Sequence, residues 1–330
     1  MIDTALILAA GLGTRLAPLS ALRAKAALPV AGEAIIRHQL RWLAAAGVRQ
    51  VIVNLHHLPS TITAVLGHGD DLGVRVRYSW EPQVLGSAGG PRQAFDLVDV
   101  ERLIVVNGDT ITDLDLAALV AEHGRTQPLV TMAASSAARR GYNALVVSDT
   151  GCLAGVVRDG ETPGPVGAGA HAVHFMGVQV VERHAFAEVS RGAPAETVTW
   201  LYPRLLATDA TSVRVWRRDA AFHDVGTPAE YWRTAQTIAA QLGRPLDCGT
   251  GVQVDPSAQV VRSVLWNDVR IGAGATVTDC VLGDGVVVPP GLHLVRAAVV
   301  RRDLLPYGTP DTAGEIHGDL LAVPFAPASR

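Results

Sequence analysis

Short apolar runs alternate with longer amphipathic stretches between residue 4 and about residue 110. The β-branched runs predict buried strands, and the stretches with apolar residues three or four positions apart predict helices. This alternation is typical of βα units around a largely parallel sheet, which is an α/β fold. The predicted elements are strands at Thr4–Ala10, Gln50–Leu55, Val74–Ser79 and Leu103–Val106, and helices at Ala34–Ala46, Pro59–Leu66 and Pro91–Leu97.

The middle of the chain, from about residue 125 to 225, is richer in Gly and Ala and indicates mixed strands and loops, with a strand at Val213–Arg217. A helix is predicted to begin after Thr227. Thr227 suits the N-cap, Pro228 suits the first helical position, and Glu230 completes a capping box. The strand Val213–Arg217 and the turn at 223–226 are therefore predicted to close the α/β domain, and the helix after them leads to a domain boundary at residue 243.

After residue 244 the apolar segments become short and are separated by small residues. The stretches 271–275 and 282–286 recur with hexapeptide-like spacing, which predicts a few coils of a parallel β-helix. An ordinary antiparallel extension is the alternative interpretation, and from Arg301 onward the pattern predicts no clear element. The short segments are Val252–Val254, Val260–Val264, Val269–Ile271, Thr276–Thr278, Val281–Leu282 and Val286–Val288.

The composition is that of a globular protein, because 48% of the 330 residues are hydrophobic and can form a full core. The net charge of −3 and the dispersed charges give no extended basic surface, so neither nucleic acid nor a membrane is an expected partner. Cys152, Cys248 and Cys280 are far apart and lack CxxC spacing, which argues against disulfides and zinc and favours a reducing cytoplasm. The apolar run Ala5–Ala10 is too short to span a bilayer.

Lys25 is the only lysine in the chain, and all other residues among the 28 Lys and Arg are arginines. An ammonium group is a compact point charge, whereas a guanidinium is a planar fork, so a binding site can require lysine. Survival of one lysine by chance is the alternative. The bias makes Lys25 a candidate functional residue.

A Gly-rich loop follows the first predicted strand, in the stretch from Leu8 to Leu16. Gly11 and Gly13 allow backbone N–H groups to approach an anion closely, which favours phosphate binding. A dinucleotide fingerprint would need a third glycine at Leu16, and a P-loop would need a Gly-Lys-Ser/Thr ending. A tight structural turn remains the other interpretation.

Two basic and two acidic residues extend this candidate site. Arg15 and Lys25 are close enough in the sequence to hold a triphosphate together. Asp109 follows a predicted strand end and Asp224 precedes the capped helix, and carboxylates with phosphate oxygens are the ligands that Mg²⁺ prefers. Each Asp alone is more often a turn residue, so the prediction depends on the whole set.

The order of these motifs resembles the sugar-1-phosphate nucleotidylyltransferases, whose members include mannose-1-phosphate guanylyltransferase and N-acetylmuramate 1-phosphate uridylyltransferase. The resemblance covers residues 4–240 or so, and these motifs in the same order are far more specific than any one of them. The matching segments are Leu8-Ala9-Ala10-Gly11-x-Gly13-Thr14-Arg15-Leu16-x-Pro18-Leu19, Lys25-x-x-x-Pro29-Val30, Glu81-Pro82, Leu85-Gly86-Ser87-Ala88-Gly89-Gly90, Asn107-Gly108-Asp109 and Asp224-Val225-Gly226-Thr227-Pro228.

The resemblance implies a fold, a division into domains and roles for the residues. It implies a Rossmann-like, doubly wound mixed sheet in a catalytic domain at 1–243, and a short left-handed parallel β-helix with a tail at 244–330. Arg15, Lys25 and Asp109 would be catalytic, and Asp109 with Asp224 would bind Mg²⁺. The implied nucleotide-binding residues are Leu8, Ala10, Gly11, Gly13, Thr14, Arg15, Gly86 and Gly89.

The sugar-phosphate site is where the chain departs from the family. The family's Glu-Lys-Pro element is missing from residues 156–163, and no second lysine exists to replace it. Arg158 or Arg140 is the expected substitute. Asn143 and Gly177 lie in segments similar to the family's sugar-binding segments, although core packing also explains them.

The implied reaction joins a nucleoside triphosphate to a sugar 1-phosphate and releases pyrophosphate and an NDP-sugar. It needs no protein base, because a phosphate with a second pKa of about 6 is largely dianionic at neutral pH. GTP with mannose 1-phosphate is slightly preferred over UTP with an N-acetylmuramate-like sugar. The alternatives are a catalytically silent NDP-sugar-binding regulator and, less favoured, a bifunctional enzyme with an acyltransferase β-helix. A homo-oligomer formed through the β-helix is a further expectation.

Overall fold

The structure is a computed structural model that describes residues 2–139, 141–159, 161, 169–244, 246–306 and 314–326. The chain forms two compact units, and each unit is built from several segments. The first unit comprises Met1–Gly11, His38–His57 and Leu66–Phe222. The second comprises Leu12–Arg37, Leu58–Val65 and His223–Arg330. No helix in the described ranges has the length and apolar character needed to cross a bilayer.

The first unit contains a central sheet of seven strands. Phe175–Glu182 runs antiparallel to both of its neighbours, and the other pairings are parallel, so the sheet is mixed as predicted. In spatial order the strands are Val213–Arg217, Val130–Ala134, Phe175–Glu182, Arg102–Asn107, Thr4–Leu8, Gln50–Leu55 and Arg75–Trp80.

Helices and aromatic side chains complete the core of this unit. Gly86–Ala94 packs against two central strands, Leu116–Thr126 packs against Val130–Ala134, and Tyr202–Thr208 packs against the edge strand. Helix Ile35–Ala45 precedes strand Gln50–Leu55 of the central sheet. Buried core residues include Leu6, Ile52, Phe95, Val105, Phe186, Tyr202 and Val215. A separate antiparallel sheet contains Leu153–Val157, Ala144–Val147 and His171–Val173.

One predicted helix start is wrong. The sequence predicts a helix at Pro91–Leu97, but the helix spans Gly86–Ala94 with Pro91 inside it, and a 3₁₀ turn follows at Phe95–Leu97. The backbone N–H groups of Ala88 and Gly89 donate to the carbonyl of Ala195. This contact satisfies donors that the first turn of a helix leaves without intrahelical partners, and therefore stabilises a glycine-rich start.

The second unit begins with a loop that carries three 3₁₀ turns, at Thr14–Leu16, Leu19–Ala21 and Lys25–Ala27. A small hairpin pairs Pro29–Val30 with Glu33–Ala34. The predicted helix Pro59–Leu66 is confirmed. The helix predicted after Thr227 is confirmed as Pro228–Gln241, with the Thr227 side chain accepting from the backbone N–H of Glu230.

The predicted parallel β-helix is also confirmed, in the second unit. Val264 pairs with Val281, and Val281 pairs with Ala298, so each position meets its equivalent 17 residues later, one fewer than three hexapeptides would give. Its three parallel sheets consist of Asp247–Cys248, Val264–Leu265, Val281–Leu282 and Ala297–Arg301; of Gln253–Val254, Arg270–Ile271 and Val287–Val288; and of Gln259–Val261, Thr276–Thr278 and His293–Val295.

The corners of the coils follow the same period. Gly251, Asp268 and Gly285 all have positive φ, between 58° and 70°, and each follows the previous one by 17 residues. Glycine and aspartate tolerate this left-handed conformation better than most residues. The repeated corner therefore fixes the length of a coil.

The C-terminal segment contains strands that the sequence pattern did not predict. Leu320–Pro324 pairs antiparallel with Ala297–Arg301, and Glu315–His317 pairs antiparallel with Leu320–Pro324. An antiparallel extension thus does exist, but it continues from the last parallel coil rather than replacing the β-helix. It covers an edge that would otherwise expose unpaired backbone groups.

Candidate functional site

The first strand ends earlier than predicted, at Leu8 instead of Ala10. The backbone N–H groups of Ala9 and Ala10 both donate to Oδ1 of Asn54, at 2.6 and 3.2 Å. A side chain therefore replaces a neighbouring strand as the acceptor. This arrangement fixes the direction in which the chain enters Gly11 and the candidate phosphate loop.

Asn54 is connected in turn to the second Gly-rich segment through Glu81. Nδ2 of Asn54 donates to Oε1 of Glu81 at 2.8 Å, and Oε2 of Glu81 accepts from the backbone N–H of Leu85 at 2.8 Å. Glu81 is fully buried, and burial raises the pKa of its carboxyl group against the opposing effect of these hydrogen bonds. The pair therefore links the entry to the phosphate loop with the start of helix Gly86–Ala94.

Asp109 lies half-buried on the turn after strand Arg102–Asn107. The preceding Gly108 donates its backbone N–H to the carbonyl of Leu8 at 2.9 Å, and a Cβ at Gly108 would lie 2.5 Å from that oxygen. Glycine is therefore required at this position by the close approach of two backbones. The structure thus brings Asp109 beside the candidate nucleotide-binding residue Leu8, at the carboxyl ends of adjacent parallel strands.

Gln39 holds the Asp109 turn from helix Ile35–Ala45. Its Nε2 donates to the carbonyl of Asn107 at 2.7 Å and to that of Thr110 at 2.8 Å, on both sides of Asp109. Gln39 is buried. The turn is consequently fixed by side-chain hydrogen bonds as well as by its backbone.

Gly177, a predicted sugar-phosphate residue, packs against the same turn. It has a φ of +70°, and a Cβ here would overlap Oγ1 of Thr110 and lie 3.2 Å from Cβ of Asn107. Only glycine fits both the conformation and the space. The structure therefore places Gly177 next to the residues that flank Asp109.

Gly86 and Gly89 pack against the segment before Thr197. A Cβ at Gly86 would lie 2.5 Å from Oε1 of Glu196, and a Cβ at Gly89 would lie 2.7 Å from the carbonyl of Ala193. Glu196 also accepts from Oγ of Ser87 at 2.5 Å. These contacts account for glycine at both positions without a ligand, so the predicted nucleotide contacts of Gly86 and Gly89 remain a prediction.

Asn143 and Arg158, the other predicted sugar-phosphate residues, lie at one end of the small sheet. Oδ1 of Asn143 accepts from the backbone N–H of Asp159 at 3.2 Å, and both Asn143 and Arg158 are exposed. Arg140, the other predicted lysine substitute, lies outside the described residues. Among the described residues, no hydrogen bond connects Asn143 with Gly177.

An aromatic cluster around His174 lies in the same unit. The His174 ring meets Tyr142 and Phe222 edge-on, with centroids 4.8 and 5.0 Å apart, and Arg139 stacks over both aromatic rings. His174 is buried, and neither ring nitrogen has a hydrogen-bond partner within the described part of the chain. Burial, with a smaller contribution from Arg139, lowers the pKa of His174 to about 4, so the imidazole is neutral at pH 7.

The second unit contains Gly13, Thr14, Arg15 and Lys25. Gly13 has a φ of +63°, and a Cβ at this position would lie 3.2 Å from Cβ of Ser20 and 3.6 Å from Cβ of Lys25. The loop therefore folds back on itself and brings the single lysine against Gly13. Thr14 and Arg15 are exposed, and Lys25 is half-buried.

Arg15 also reaches the motif that contains Asp224. A Cβ at Gly226 would lie 3.0 Å from Nη2 of Arg15 and 2.7 Å from Oε2 of Glu230. Glu230 in turn accepts from the hydroxyl of Thr227 at 3.0 Å. The capped start of helix Pro228–Gln241 thus fixes Gly226, which lies two residues after Asp224. Because Gly226 has no side chain, it leaves room for the guanidinium of Arg15.

The candidate metal ligands are hard oxygen donors at two strand ends, because Asp109 follows Arg102–Asn107 and Asp224 ends Phe222–Asp224. Over the described ranges, no group of three or more His, Cys, Asp or Glu side chains is arranged to bind a metal ion. Mg²⁺ is usually held by one or two carboxylates together with substrate phosphates and water. Each of the two carboxylates, taken by itself, is therefore a donor of the kind that Mg²⁺ accepts.

Sequence reasoning missed Gln39 and Asn54, although both gave a signal. Asn54 is a polar residue near the carboxyl end of the otherwise apolar strand Gln50–Leu55, and Gln39 adjoins Leu40 on a helix whose inner face is apolar. Buried polar side chains are normally hydrogen-bonded. Their presence in apolar positions could have indicated a structural role at a site.

Comparison with known families gives two matches. Residues 4–241 match the family model described as nucleotidyl transferase. Residues 247–297 match the model described as GlmU-like, C-terminal hexapeptide. The first match covers most of the chain, and the second covers the coils of the β-helix.

Several characterised proteins are similar to the chain. Mannose-1-phosphate guanylyltransferase of Mycobacterium tuberculosis is 27% identical over 305 residues, which are 88% of this chain and 83% of that protein. N-acetylmuramate alpha-1-phosphate uridylyltransferase of Neisseria meningitidis is 42% identical over 115 residues, 34% of this chain and 50% of that protein. The crystal structure of HddC from Yersinia pseudotuberculosis has a TM-score of 0.61 at 19% identity, over 72% of this chain and all of that one, which shows a common fold.

Proposed function

The chain belongs to the nucleotidyl transferase family, and from this membership we propose that it is a sugar-1-phosphate nucleotidylyltransferase. It joins a nucleoside triphosphate to a sugar 1-phosphate and releases pyrophosphate and an NDP-sugar. The observation that carries the proposal is the packing of Lys25, the only lysine, against Gly13 of the phosphate loop. The similar enzymes of known name catalyse reactions of this type.

The proposed reaction is a displacement at the α-phosphorus of the nucleotide. An oxygen of the sugar phosphate forms the new P–O bond, and the bond to the β-phosphate breaks, so pyrophosphate leaves with its electron pair. Arg15 and Lys25 neutralise charge on the α-phosphate and on the leaving group. The backbone of Gly11, Gly13 and Thr14 holds the phosphates in place, with Leu8, Ala10, Gly86 and Gly89 on the nucleoside side.

Asp109 and Asp224 are the proposed ligands of Mg²⁺. When bound, the ion supplies positive charge to the phosphate oxygens and helps to keep attacking and leaving groups in line. The contribution of the protein is to hold each carboxylate in a fixed position. Gln39 and Gly108 fix the turn of Asp109, and the Gly226 motif fixes the chain after Asp224.

Asn143, Arg158 and Gly177 are the proposed contacts of the sugar phosphate. GTP with mannose 1-phosphate is the first proposed pair, because the similarity to the mannose enzyme extends over 88% of this chain. UTP with N-acetylmuramate 1-phosphate is the second, because the uridylyltransferase has the higher identity, though over only 34% of the chain. Nothing in the comparisons favours the silent regulatory alternative.

The proposed organisation is a catalytic domain at 1–243 and a β-helix with a tail at 244–330. A cytoplasmic location is proposed because Cys152, Cys248 and Cys280 are all unpaired thiols. Self-association through the β-helix is proposed because Val261 and Val295 are exposed on its outer surface, at 41% and 61%. Light scattering tests the last proposal directly.

The deciding experiment measures pyrophosphate release from ATP, GTP, UTP, CTP and dTTP against a panel of sugar 1-phosphates, with Mg²⁺ and with EDTA. The expected result is release that depends on Mg²⁺ and is confined to one or a few pairs. Asp99→Asn, an exposed substitution, serves as a control beside Asp109→Asn. Binding of NDP-sugars in calorimetry without release from any pair would instead identify a regulatory protein.

A further inference from the structure

The β-helix contacts the loop that carries Arg15 and Lys25, within the second compact unit. Arg23 forms a bidentate ion pair with Asp284, with Nε to Oδ2 at 2.8 Å and Nη2 to Oδ1 at 2.6 Å. Only 18% of the Arg23 side chain and 31% of the Asp284 side chain are exposed. Bidentate arginine–carboxylate pairs fix geometry as well as charge, so this contact restricts the loop in direction and in distance.

The ring of Trp266 packs against the arginine of this ion pair. The Arg23 guanidinium lies 5.1 Å from the centroid of the buried Trp266 ring. Nε1 of Trp266 donates to the hydroxyl of Tyr231 at 2.9 Å, and that hydroxyl donates to the carbonyl of Pro29. A chain of buried contacts therefore connects the β-helix, helix Pro228–Gln241 and the far end of the loop.

Further contacts hold the same loop. Oδ2 of Asp247 accepts from the backbone N–H of Ala31 at 2.7 Å, and Arg244 donates to the carbonyl of Ala31. A Cβ at Gly283 would lie 3.1 Å from Cδ1 of Leu22, so the loop packs closely on this coil. The residues that hold the loop, Arg244, Asp247 and Gly283, all lie C-terminal to helix Pro228–Gln241.

These contacts occur on both sides of Lys25 in the sequence. Arg23 precedes Lys25 by two residues, and even a fully extended chain covers at most about 7 Å over two residues. Between Arg23 and Pro29 the backbone forms the 3₁₀ turn Lys25–Ala27, with the N–H of Ala27 donating to Ala24 at 2.8 Å. A displacement of Arg23 would therefore move the backbone that carries Lys25.

We propose that the β-helix is a positioning element of the reaction, in which Asp284 holds Arg23 and thereby fixes Lys25 against the phosphate loop. The role of Lys25 rests on the function proposed above, whereas the position of Lys25 does not. Asp284 and Arg23 are positioning residues, because neither has a described contact with a reacting group.

The test compares two Asp→Asn substitutions in the β-helix. Asp284→Asn weakens the pair with Arg23. Asp279→Asn weakens an equally bidentate pair with Arg262, at 2.7 and 2.9 Å, that involves no residue of the loop. Asparagine is chosen because Asp279 has a φ of +55°, which asparagine tolerates. The double variant Arg23→Gln/Asp284→Asn removes both charges and serves if the single variant fails to fold.

Two measurements are made on each full-length protein. The first is kcat and KM in the pyrophosphate assay. Asp284→Asn is expected to lower kcat/KM for the nucleotide by about 10- to 100-fold, as for a reacting group displaced by a fraction of an ångström to 1 Å. Asp279→Asn is expected to match wild type, and Asp284→Glu, which keeps the carboxylate, is expected to recover part of the loss.

The second measurement is the rate at which an amine-reactive ester modifies Lys25, read by peptide mass spectrometry. The chain has no other lysine, so the signal reports one site apart from the N-terminal amine. Asp284→Asn is expected to change the modification rate severalfold, because a released loop exposes Lys25 differently. Equal rates and equal kinetics in Asp284→Asn and Asp279→Asn would overturn the inference. If wild type releases no pyrophosphate, the proposed reaction fails, and the modification rates alone decide the positioning role.

Discussion

Nδ2 of Asn54 donates a 2.8 Å hydrogen bond to Oε1 of Glu81, and both residues are buried. The remaining polar atoms of the pair bind backbone N–H groups of Ala9, Ala10 and Leu85. Two candidate nucleotide-binding segments are therefore held by one amide and one carboxylate, which lie 27 residues apart in the sequence. A change in either side chain should affect both segments.

Replacing Asn54 by aspartate should make stability depend on pH. The new carboxylate would retain an acceptor for Ala9 and Ala10 but would lie beside the carboxylate of Glu81, and one of the two must take up a proton. A carboxyl pKa that is higher in the folded than in the unfolded state stabilises the protein at low pH, and that stability is lost as pH rises through the folded value.

We expect Asn54→Asp to be about 3 kcal/mol less stable than wild type at pH 8, because both carboxyl groups can ionise freely in the unfolded chain but not side by side in the folded one. The difference should decrease as the pH falls toward 4. Urea unfolding between pH 4 and 8 measures it, with Asn143→Asp as an exposed control. A deficit that stays constant across this range would contradict the explanation.

Lys25→Ala and Asp109→Ala should each lower turnover by at least about 100-fold, which is typical for the loss of one preorganised electrostatic group. The fold should remain intact, because both side chains are only half-buried. Lys25→Arg should recover little activity, since a planar fork does not replace a compact ammonium beside Gly13. Arg75→Ala, on an exposed edge-strand residue, is the control. Wild-type turnover in both alanine variants would exclude this mechanism.

Gln39→Met should weaken magnesium binding rather than the maximal rate. The variant removes both donors that hold the turn of Asp109. Loss of residues that orient a metal ligand typically lowers metal affinity by about 10- to 100-fold. A titration of activity with Mg²⁺ should therefore show a higher half-saturating concentration. Gln241→Met, at an exposed helix end, should leave the curve unchanged, and identical curves for both variants would contradict the role of Gln39.

His174 should destabilise the protein in mild acid. Its pKa is lowered to about 4 in the folded state by burial, whereas an unfolded histidine has a pKa of about 6.5. Between these values the unfolded chain binds more protons, so the free energy of unfolding falls as pH drops from 6.5 to 4, by up to about 3 kcal/mol.

His174→Phe should remove this part of the pH dependence and should still pack against Tyr142 and Phe222. Unfolding by urea at pH 7.0 and 4.5 is the measurement. The exposed substitution His68→Phe should keep the wild-type slope. An unchanged slope in His174→Phe would show that the imidazole is not the group responsible.

Elements with strong local signals were predictable from the sequence to the residue. Gln50–Leu55, Pro59–Leu66 and Val213–Arg217 match their predicted bounds. Each has a clear period or a start signal within its own residues. The β-helix was also predictable, because its glycine pattern repeats along the chain.

Elements that depend on distant partners were not predictable in this way. The start of helix Gly86–Ala94 depends on Ala195 and Glu196, which lie about 110 residues later. Strand Leu320–Pro324 forms against the last coil of the β-helix. A local sequence pattern contains no information about such distant partners, and tertiary contacts often override the local preference for helix or strand.

The candidate site shows the same division. The sequence predicts the phosphate loop, Lys25 and the two Asp residues as a set, and the resemblance supports this prediction with long-range information that a single motif lacks. The supporting residues Gln39, Asn54 and Asp284 were not identified. Their roles follow from hydrogen bonds that cross 68, 45 and 261 positions of the chain.

The 17-residue coil has a consequence for how this chain can change during evolution. Because equivalent positions recur at one interval, duplication or deletion of one whole interval would leave every remaining side chain on its original inner or outer face. An insertion of one residue within a strand would turn the inner residues that follow it outward, as a register slip does in any strand. Whole intervals are therefore the steps in which the β-helix can grow or shrink without changing its core, and a step added beyond the coil that holds Arg23 would leave the phosphate loop unchanged.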